Sequence, residues 1–313
     1  MTQLLKGKAV ADNLTAMTSE KVKALKARGI VPTLAIVRLG ENPGDISYEK
    51  GARKRAAETG IQVKQFIYDV NRSQEKLVLA IERINADESI HGVLIFRPLP
   101  GHIDEQLICD TLAPSKDMDG ITAGSMAGVF MGTDQGFPPC TAEACIELLD
   151  YYGIELSGKK VTVIGRSLVI GKPVAMMAMK RNATVTMLHS RTTKEDFAAA
   201  GSNADIVIAA LGKAKMVKAS MLGRGQTIID VGINVDEDGK LCGDVDFDEV
   251  TAVAIDGAAN GAVVGNATDG AADGHPAHGA ADGHPAAITP VPGGVGSVTT
   301  AVLMKHVAEA AGR

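Results

Sequence analysis

"VIGRSLVIGKP", residues 163–173, joins a β-branched apolar run to a segment of helix formers. With its neighbours it reads as a strand, "KKVTVIGRS" (159–167), that stops at glycine, and a helix, "GKPVAMMAMKRN" (171–182). Pro173 falls in the first helical turn, where its missing N–H leaves nothing unpaired. Gly165 and Gly171 permit a tight turn, and the free N–H groups of the helix N-terminus suit a phosphate. The spacing is not G-x-G-x-x-G, so a plain strand–helix turn stays open on this stretch alone. Arg166 adds a fixed cation with paired donors, suited to a phosphate ester.

Working outward from this stretch, three more short strands follow, "ATVTMLH" (183–189), "ADIVIAAL" (204–211) and "QTIIDVGIN" (226–234). Four strands with crossover helices predict a Rossmann-like, doubly wound parallel sheet. "HSRT" (189–192) ends the second strand, where such folds bring the adenosine ribose. Ser190 and Arg191 stand there in place of an acid, which favours a 2'-phosphate and hence NADP, with NAD as the alternative. A solvated strand end is the plainer reading.

The N-terminal part repeats the alternation. "PTLAIVRLG" (32–40), "IQVKQFIYDV" (61–70) and "IHGVLIFRPLP" (90–100) read as strands, with helices at 45–60 and 73–87. The first of these helices opens on turn residues (Asn42, Pro43, Gly44, Asp45), closes at Gly60 and carries Tyr48 at its head. "TAEACIELLDYYGI" (141–154) reads as a helix capped by Thr141, with Glu143 in its first turn. The expectation is two α/β domains. Residues 1–139 with the last helix, 290–313, form the first, and residues 140–289 the second.

From 256 to 287 the chain is mostly Ala, Gly, Asp, Asn and His, with "GAADGHPA" at 270–277 and again at 279–286. Such composition buries little apolar area, so a tolerated surface insertion is expected. A metal held by His275, His278 and His284 is the weaker alternative, since cysteine and helical spacing are lacking; no metal is expected.

Composition sets the class. Apolar residues are 45%, charged 22% and aromatic only 3% of 313 residues, so the interior is aliphatic, as in parallel sheets covered by helices. A net charge of -5 gives nucleic acid no basic field to bind. Four cysteines without a CxxC pair fit a reduced, cytoplasmic setting. Neither a secretory leader nor an apolar run long enough to span a membrane is evident.

Two loops hold further candidates. "ITPVPGGVGSVTT" (288–300) packs prolines and glycines before a helix, as backbone built for close approach to a ligand or another segment does. "PSKDMDGI" (114–121) sets two acids in a turn, a weak signal alone because such acids commonly cap helices.

In combination these segments resemble the bifunctional methylenetetrahydrofolate dehydrogenase/methenyltetrahydrofolate cyclohydrolase (FolD) family. The resemblance runs through "PTLAIVRLGENPGDISY", "KDMDGIT", "PPCTAEA", "GKKVTVIGRSLVIGKP", "ADIVIAALG", "DVGIN", "GDVDFDEV" and "ITPVPGGVG"; the 256–287 repeat is outside it. It implies a folate-binding domain, an NADP-binding domain, a cleft between them and a homodimer working in one-carbon metabolism and purine biosynthesis. Tyr48 matches the family's folate-stacking tyrosine and Asp119 its pterin-anchoring aspartate. Gly165, Arg166, Ser167, Gly171, Ser190, Arg191 and Ile233 match cofactor positions, and Pro292, Gly293 and Gly294 would line the substrate site.

The family's catalytic lysine lies four residues after the tyrosine, and here that position is Ala52. Lys50 and Lys54 fall about 200° and 240° around the helix from Tyr48, whereas Arg55 shares its face. The family's glutamine position is Phe96, with Arg97 beside it. Hydride transfer asks mainly for alignment. Hydrolysis of the methenyl group needs proton transfer, and arginine keeps its proton. The expectation is an NADP-dependent dehydrogenase with weakened or absent cyclohydrolase activity. Arg55 and Arg97 are the possible substitutes for the missing pair, with Asp119 or a shifted Lys54 as others. A catalytically inactive folate- or nucleotide-binding relative is the first rival, and a Rossmann dehydrogenase of amino-acid or shikimate type the second.

Overall fold

The computed structural model describes residues 2–252 and 285–313. The chain divides into two compact units. One comprises Met1–Lys6, Tyr152–Ser167 and Ala178–Gly296, and the other Gly7–Tyr151, Leu168–Met177 and Ser297–Arg313.

The first unit is built on a six-stranded sheet. Its strands are β1 (Gln3–Leu4), β5 (Lys160–Ile164), β6 (Thr184–Leu188), β7 (Ile206–Ala209), β8 (Thr227–Asp230) and β11 (Ala287–Ile288), in the order β1-β11-β8-β7-β5-β6 and all parallel. β7 and β8 are buried at every position and β5 at all but Lys160, so their apolar residues do not alternate as in a half-exposed strand. β6 is an edge strand and alternates. β5 has β6 on one side and β7 on the other, so the strand order reverses at β5. A short antiparallel pair, β9 (Asn234–Val235) and β10 (Leu241–Cys242), follows β8.

The second unit has a three-stranded parallel sheet, β3-β2-β4, of β2 (Thr33–Leu39), β3 (Gln62–Tyr68) and β4 (Gly92–Ile95). Its helices are α1 (Gly7–Ala27), α2 (Pro43–Thr59), α3 (Gln74–Ala86), α4 (Glu105–Thr111), α5 (Ala123–Met131), α6 (Cys140–Tyr151) and α9 (Thr299–Ala310). Between them in the chain come α7 (Gly171–Lys180) and α8 (Lys194–Ser202). One face of the sheet (Ala35, Val37, Leu39, Val93, Ile95) packs with Leu77, Ile81 and Ile84 of α3. The alternate residues of β2 include Arg38, which reaches α2.

α2 starts as its sequence dictates. The Asn42 side chain accepts from the N–H groups of Gly44 and Asp45, Pro43 takes the first position, and Gly60 at φ 78° ends it. Its buried face carries Glu49, Ala52 and Ala56. Glu49 Oε2 sits 2.9 Å from Arg38 Nε, with both side chains almost fully buried. Gln65 donates to the other Glu49 oxygen, and Arg38 donates to the Gly40 carbonyl.

Several expectations need correction. The chain crosses between units at 151/152 rather than 139/140, because α6 packs on α1 and α9. Residues up to Lys6 belong with the first unit, since β1 pairs with β11 through Gln3↔Ala287 and Leu4↔Ile288. The return to the second unit comes at 296/297 rather than 289/290. Thr141 does not cap α6; the helix begins at Cys140 and Thr141 lies inside its first turn. The insertion is shorter at its end than 287: Ala286 N donates to Gln226 O and Ala287 opens β11. Its remainder, with His275, His278 and His284, lies outside the described residues. Among the described residues no group of His, Cys, Asp and Glu could hold a metal ion, and no helix is long and apolar enough to cross a membrane.

The buried ion pair gives the first prediction. Glu49→Ala leaves Arg38 without its counterion and lowers stability by about 3–5 kcal/mol, read by urea denaturation.

Candidate active site

In the second unit, Tyr48 on α2 meets Phe96, the residue after β4, edge to face, with ring centroids 5.9 Å apart and planes at 83°. The Tyr48 phenol hydrogen-bonds Thr299 at the start of α9. Burial of its oxygen, reinforced by the nearby Cys140 and Asp119, pushes its pKa far above the ordinary range.

Each polar residue of "KDMDG" (116–120) has its own task. Lys116 Nζ donates to the carbonyls of Ile84, Asn85 and Asp87 at 3.0, 2.8 and 2.7 Å, closing the C-terminus of α3. Asp117, fully buried, accepts from the N–H groups of Ile121 at 3.1 Å and Thr122 at 2.8 Å and so fixes the turn into α5. Asp119 accepts from Cys140 N at 3.0 Å, placing its carboxylate at the N-terminus of α6, where the helix dipole favours it. Burial nevertheless pushes the Asp119 pKa up. Gly120, at φ 63°, has no room for a side chain: a Cβ would lie 2.6 Å from Pro139 N. Tyr48 thus meets Phe96, and the charge of Asp119 acts on the Tyr48 phenol nearby.

Arg55 and Arg97, the expected substitutes for a lysine at position 52, are both engaged. Arg55 lies 3.0 Å from Thr15 Oγ1 on α1 and 3.2 Å from Glu58. Arg97 pairs with Glu105 at 3.1 Å. Lys50 is exposed, and Lys54 is exposed and 4.0 Å from Glu58. Ala52 is 0% exposed.

In the first unit the cofactor candidates follow the C-terminal ends of parallel strands: Gly165, Arg166 and Ser167 after β5, Ser190 and Arg191 after β6, Ile233 after β8. This is the edge on which open α/β sheets bind ligands. Arg166, Ser167, Ser190 and Arg191 are exposed, and Ile233 is 67% exposed although apolar. Gly165, at φ 125°, presses on β7; a Cβ there would sit 2.1 Å from Ala210 O. Gly171, a residue of the second unit, is buried as the first residue of α7. Pro292 and Gly293 are exposed in the loop after β11, with Gly293 at φ 103°, while Gly294 is buried against Pro290 O.

The loops of this edge are fixed by two acids that the sequence reading did not single out. Asp244 accepts from the N–H groups of Leu211, Gly212 and Lys213 at 2.5, 3.0 and 2.8 Å, and from Asn234 Nδ2 at 2.9 Å. Asp230 accepts from the N–H groups of Gly232, Asp244 and Val245, each at 3.0 Å. Burial, with the Asp244 charge beside it, outweighs these donors and pushes Asp230 up to about 6. The aspartates of "DVGIN" and "GDVD" are thus one structure, and the pattern of acids next to Gly232 and Gly243 was its sequence signal.

Comparison with known proteins now decides the family. A model described as tetrahydrofolate dehydrogenase/cyclohydrolase, catalytic domain, matches residues 5–119. Its NAD(P)-binding domain counterpart matches residues 139–272. The chain belongs to the tetrahydrofolate dehydrogenase/cyclohydrolase family. The bifunctional protein FolD of Carboxydothermus hydrogenoformans is 45% identical over 312 residues, covering 99% of this chain and 97% of that protein. The crystal structure of FolD from Campylobacter jejuni superposes with a TM-score of 0.86 at 33% identity, over 100% of this chain and 99% of that one. Trypanosoma brucei FolD, solved with NADP cofactor and inhibitor, gives 0.83 at 31% identity, over 100% and 98%.

Within this family frame two outcomes are expected. Gly165→Ala forces the β5–α7 loop off Ala210 and weakens NADP binding by about 100-fold, measured by fluorescence titration. The second concerns Asp230. Its folded pKa lies above the ordinary 3.8, so its contribution to stability is complete below pH 3.8 and is lost as pH rises through about 6. Relative to Asp230→Asn, the wild type loses on the order of 3 kcal/mol between pH 4 and pH 7, checked by urea denaturation at both.

Proposed function

We propose that this chain oxidises 5,10-methylenetetrahydrofolate to 5,10-methenyltetrahydrofolate with NADP, and that hydrolysis of the product to 10-formyltetrahydrofolate is weakened or absent. The observation that carries this reading is the wall around Tyr48. It offers a rigid aromatic pair and one carboxyl, while Ala52 is buried and every nearby cation named above is exposed or paired with a glutamate.

Bound NADP supplies the hydride acceptor. The chain's share of that reaction is alignment. The Tyr48 ring, held by Phe96 and Thr299, gives a planar pterin or aminobenzoate group a surface to stack on. Asp119, anchored at the α6 N-terminus, fixes the pterin ring. Arg166 and Ser167 would hold the phosphates, and Ser190 with Arg191 the 2'-phosphate of NADP; NAD is the alternative. Pro292, Gly293 and Gly294 would line the substrate side. Hydrolysis needs a group that gives up and regains a proton, and Arg55 and Arg97 cannot.

A second reading is full bifunctionality. It is favoured by the raised pKa of Asp119, which suits proton exchange, and by the bifunctional names of the relatives. A cytoplasmic homodimer, supplying one-carbon units for purine synthesis, belongs to either reading.

The test is a coupled assay with 5,10-methylenetetrahydrofolate and NADP, following NADPH and the methenyl product separately. NADPH with accumulating methenyl product is the expected result. NADPH without accumulation, at the hydrolase rate of a lysine-bearing relative, establishes the second reading. No NADPH with either nicotinamide cofactor makes the chain an inactive binding relative.

A further inference from the structure

His306 lies on α9, 1% exposed and stacked on Phe137 with centroids 4.9 Å apart. Its Nδ1 is 2.8 Å from the Met118 carbonyl oxygen and its Nε2 2.6 Å from Glu143 Oε2. A carbonyl oxygen only accepts, so Nδ1 carries a proton. Glu143 is also held by Lys305 Nζ at 2.5 Å, which reaches Glu147 at 2.6 Å. A carboxylate so placed is ionised, so Nε2 carries a proton too, and the ring is an imidazolium. Burial works against that charge, but Glu143 overcomes it and the His306 pKa is raised; Glu143 itself is held at about 2.

The other end of this network is the candidate folate site. The Met118 carbonyl takes a second donor, Cys140 Sγ at 3.2 Å, and Met118 N donates to Val93 O at 3.3 Å. The next residue is Asp119, whose carboxylate accepts from Cys140 N. His306 thus grips the carbonyl of the very peptide that leads into Asp119, and Glu143 grips His306 from the first turn of the helix that Asp119 caps.

We propose that His306, held by Glu143, is a positioning residue of the folate site, clamping the Met118 carbonyl and so aiming the Asp119 carboxylate at the substrate. The proposal rests on the reading of Asp119 as a substrate contact given above. A structural role alone would show in stability; a positioning role shows in folate kinetics when stability is restored.

The test is the double variant His306→Leu/Glu143→Leu in the full-length chain, with His306→Gln beside it. Replacing a buried ion pair by apolar residues is commonly neutral or stabilising, so the melting temperature of the double variant stays near that of wild type. The expected result is a KM for 5,10-methylenetetrahydrofolate raised about tenfold, with a lower kcat, and a KM for NADP within about twofold of wild type. His306→Gln, whose amide keeps an N–H for the Met118 carbonyl, recovers most of the folate KM. A double variant with wild-type folate KM overturns the proposal, as does one that loses folate and NADP binding together. Should the double variant not fold, His306→Asn, too short to reach Met118, replaces it; equal folate KM for the Asn and Gln variants overturns the proposal. Absence of turnover in the wild type overturns the proposed function and this inference with it, whereas normal wild-type turnover with unmoved variants overturns this inference alone.

Discussion

Asp244 is completely buried, and its two oxygens accept three consecutive backbone N–H groups and one side-chain amide. A parallel sheet must end somewhere, and where it ends the backbone turns irregular and loses its ladder partners. Buried N–H groups left that way cost free energy, so something must accept from them. A carboxylate suits the task because each oxygen accepts more than one donor. Asp230 does the same for the 232–245 segment, and Thr289 Oγ1 accepts from Asp230 N at 2.7 Å, tying in the loop after β11. The strand-end edge that carries the cofactor candidates is thereby rigid without being regular.

The second unit repeats the device with different parts. Asp117 fixes the turn into α5, Asp119 holds the first N–H of α6, and Glu143 holds His306. The close packing these contacts require explains the glycines nearby. A Cβ on Gly243 would sit 1.8 Å from Asp230 Oδ2, and one on Gly232 would sit 2.4 Å from the Asp244 carboxyl. Short acids and absent side chains are two halves of one construction: the acid reaches the backbone only because the glycine lets the backbone approach.

The strands were legible in the sequence because a strand buried on both faces is mostly apolar, as β2, β7 and β8 are apart from Thr33, Arg38, Thr227 and Asp230. α2 was legible from local signals, Asn42 and Pro43 at one end and Gly60 at the other. Tyr48 and Asp119 were singled out through the family resemblance rather than from either residue alone. The missed features are the non-local ones. β1 and β11 span Gln3–Leu4 and Ala287–Ile288, too short for any periodicity, and exist only because they pair. α6 reads as the start of the second series, yet its partner is α9, far along the chain. Arg38 and Glu49 look like solvated charges until β2 and α2 face one another. His306 on an apolar helix gave no sign that a glutamate 2.6 Å away would hold it charged.

Ala52 takes its surroundings from the buried face of α2. Glu49 and Ala52 are three residues apart on the buried face of α2 and so lie one helical turn from each other. The polar groups of that face are closed on themselves: Glu49 takes Arg38 and Gln65, leaving its carboxylate nothing further to collect. Arg55 and Arg97 are closed in the same way, each on its own glutamate. Side chains locked in pairs in this way set geometry. Asp119 differs from these pairs: its carboxylate accepts from a helix N-terminus rather than from an arginine, and burial beside the Tyr48 phenol raises its pKa.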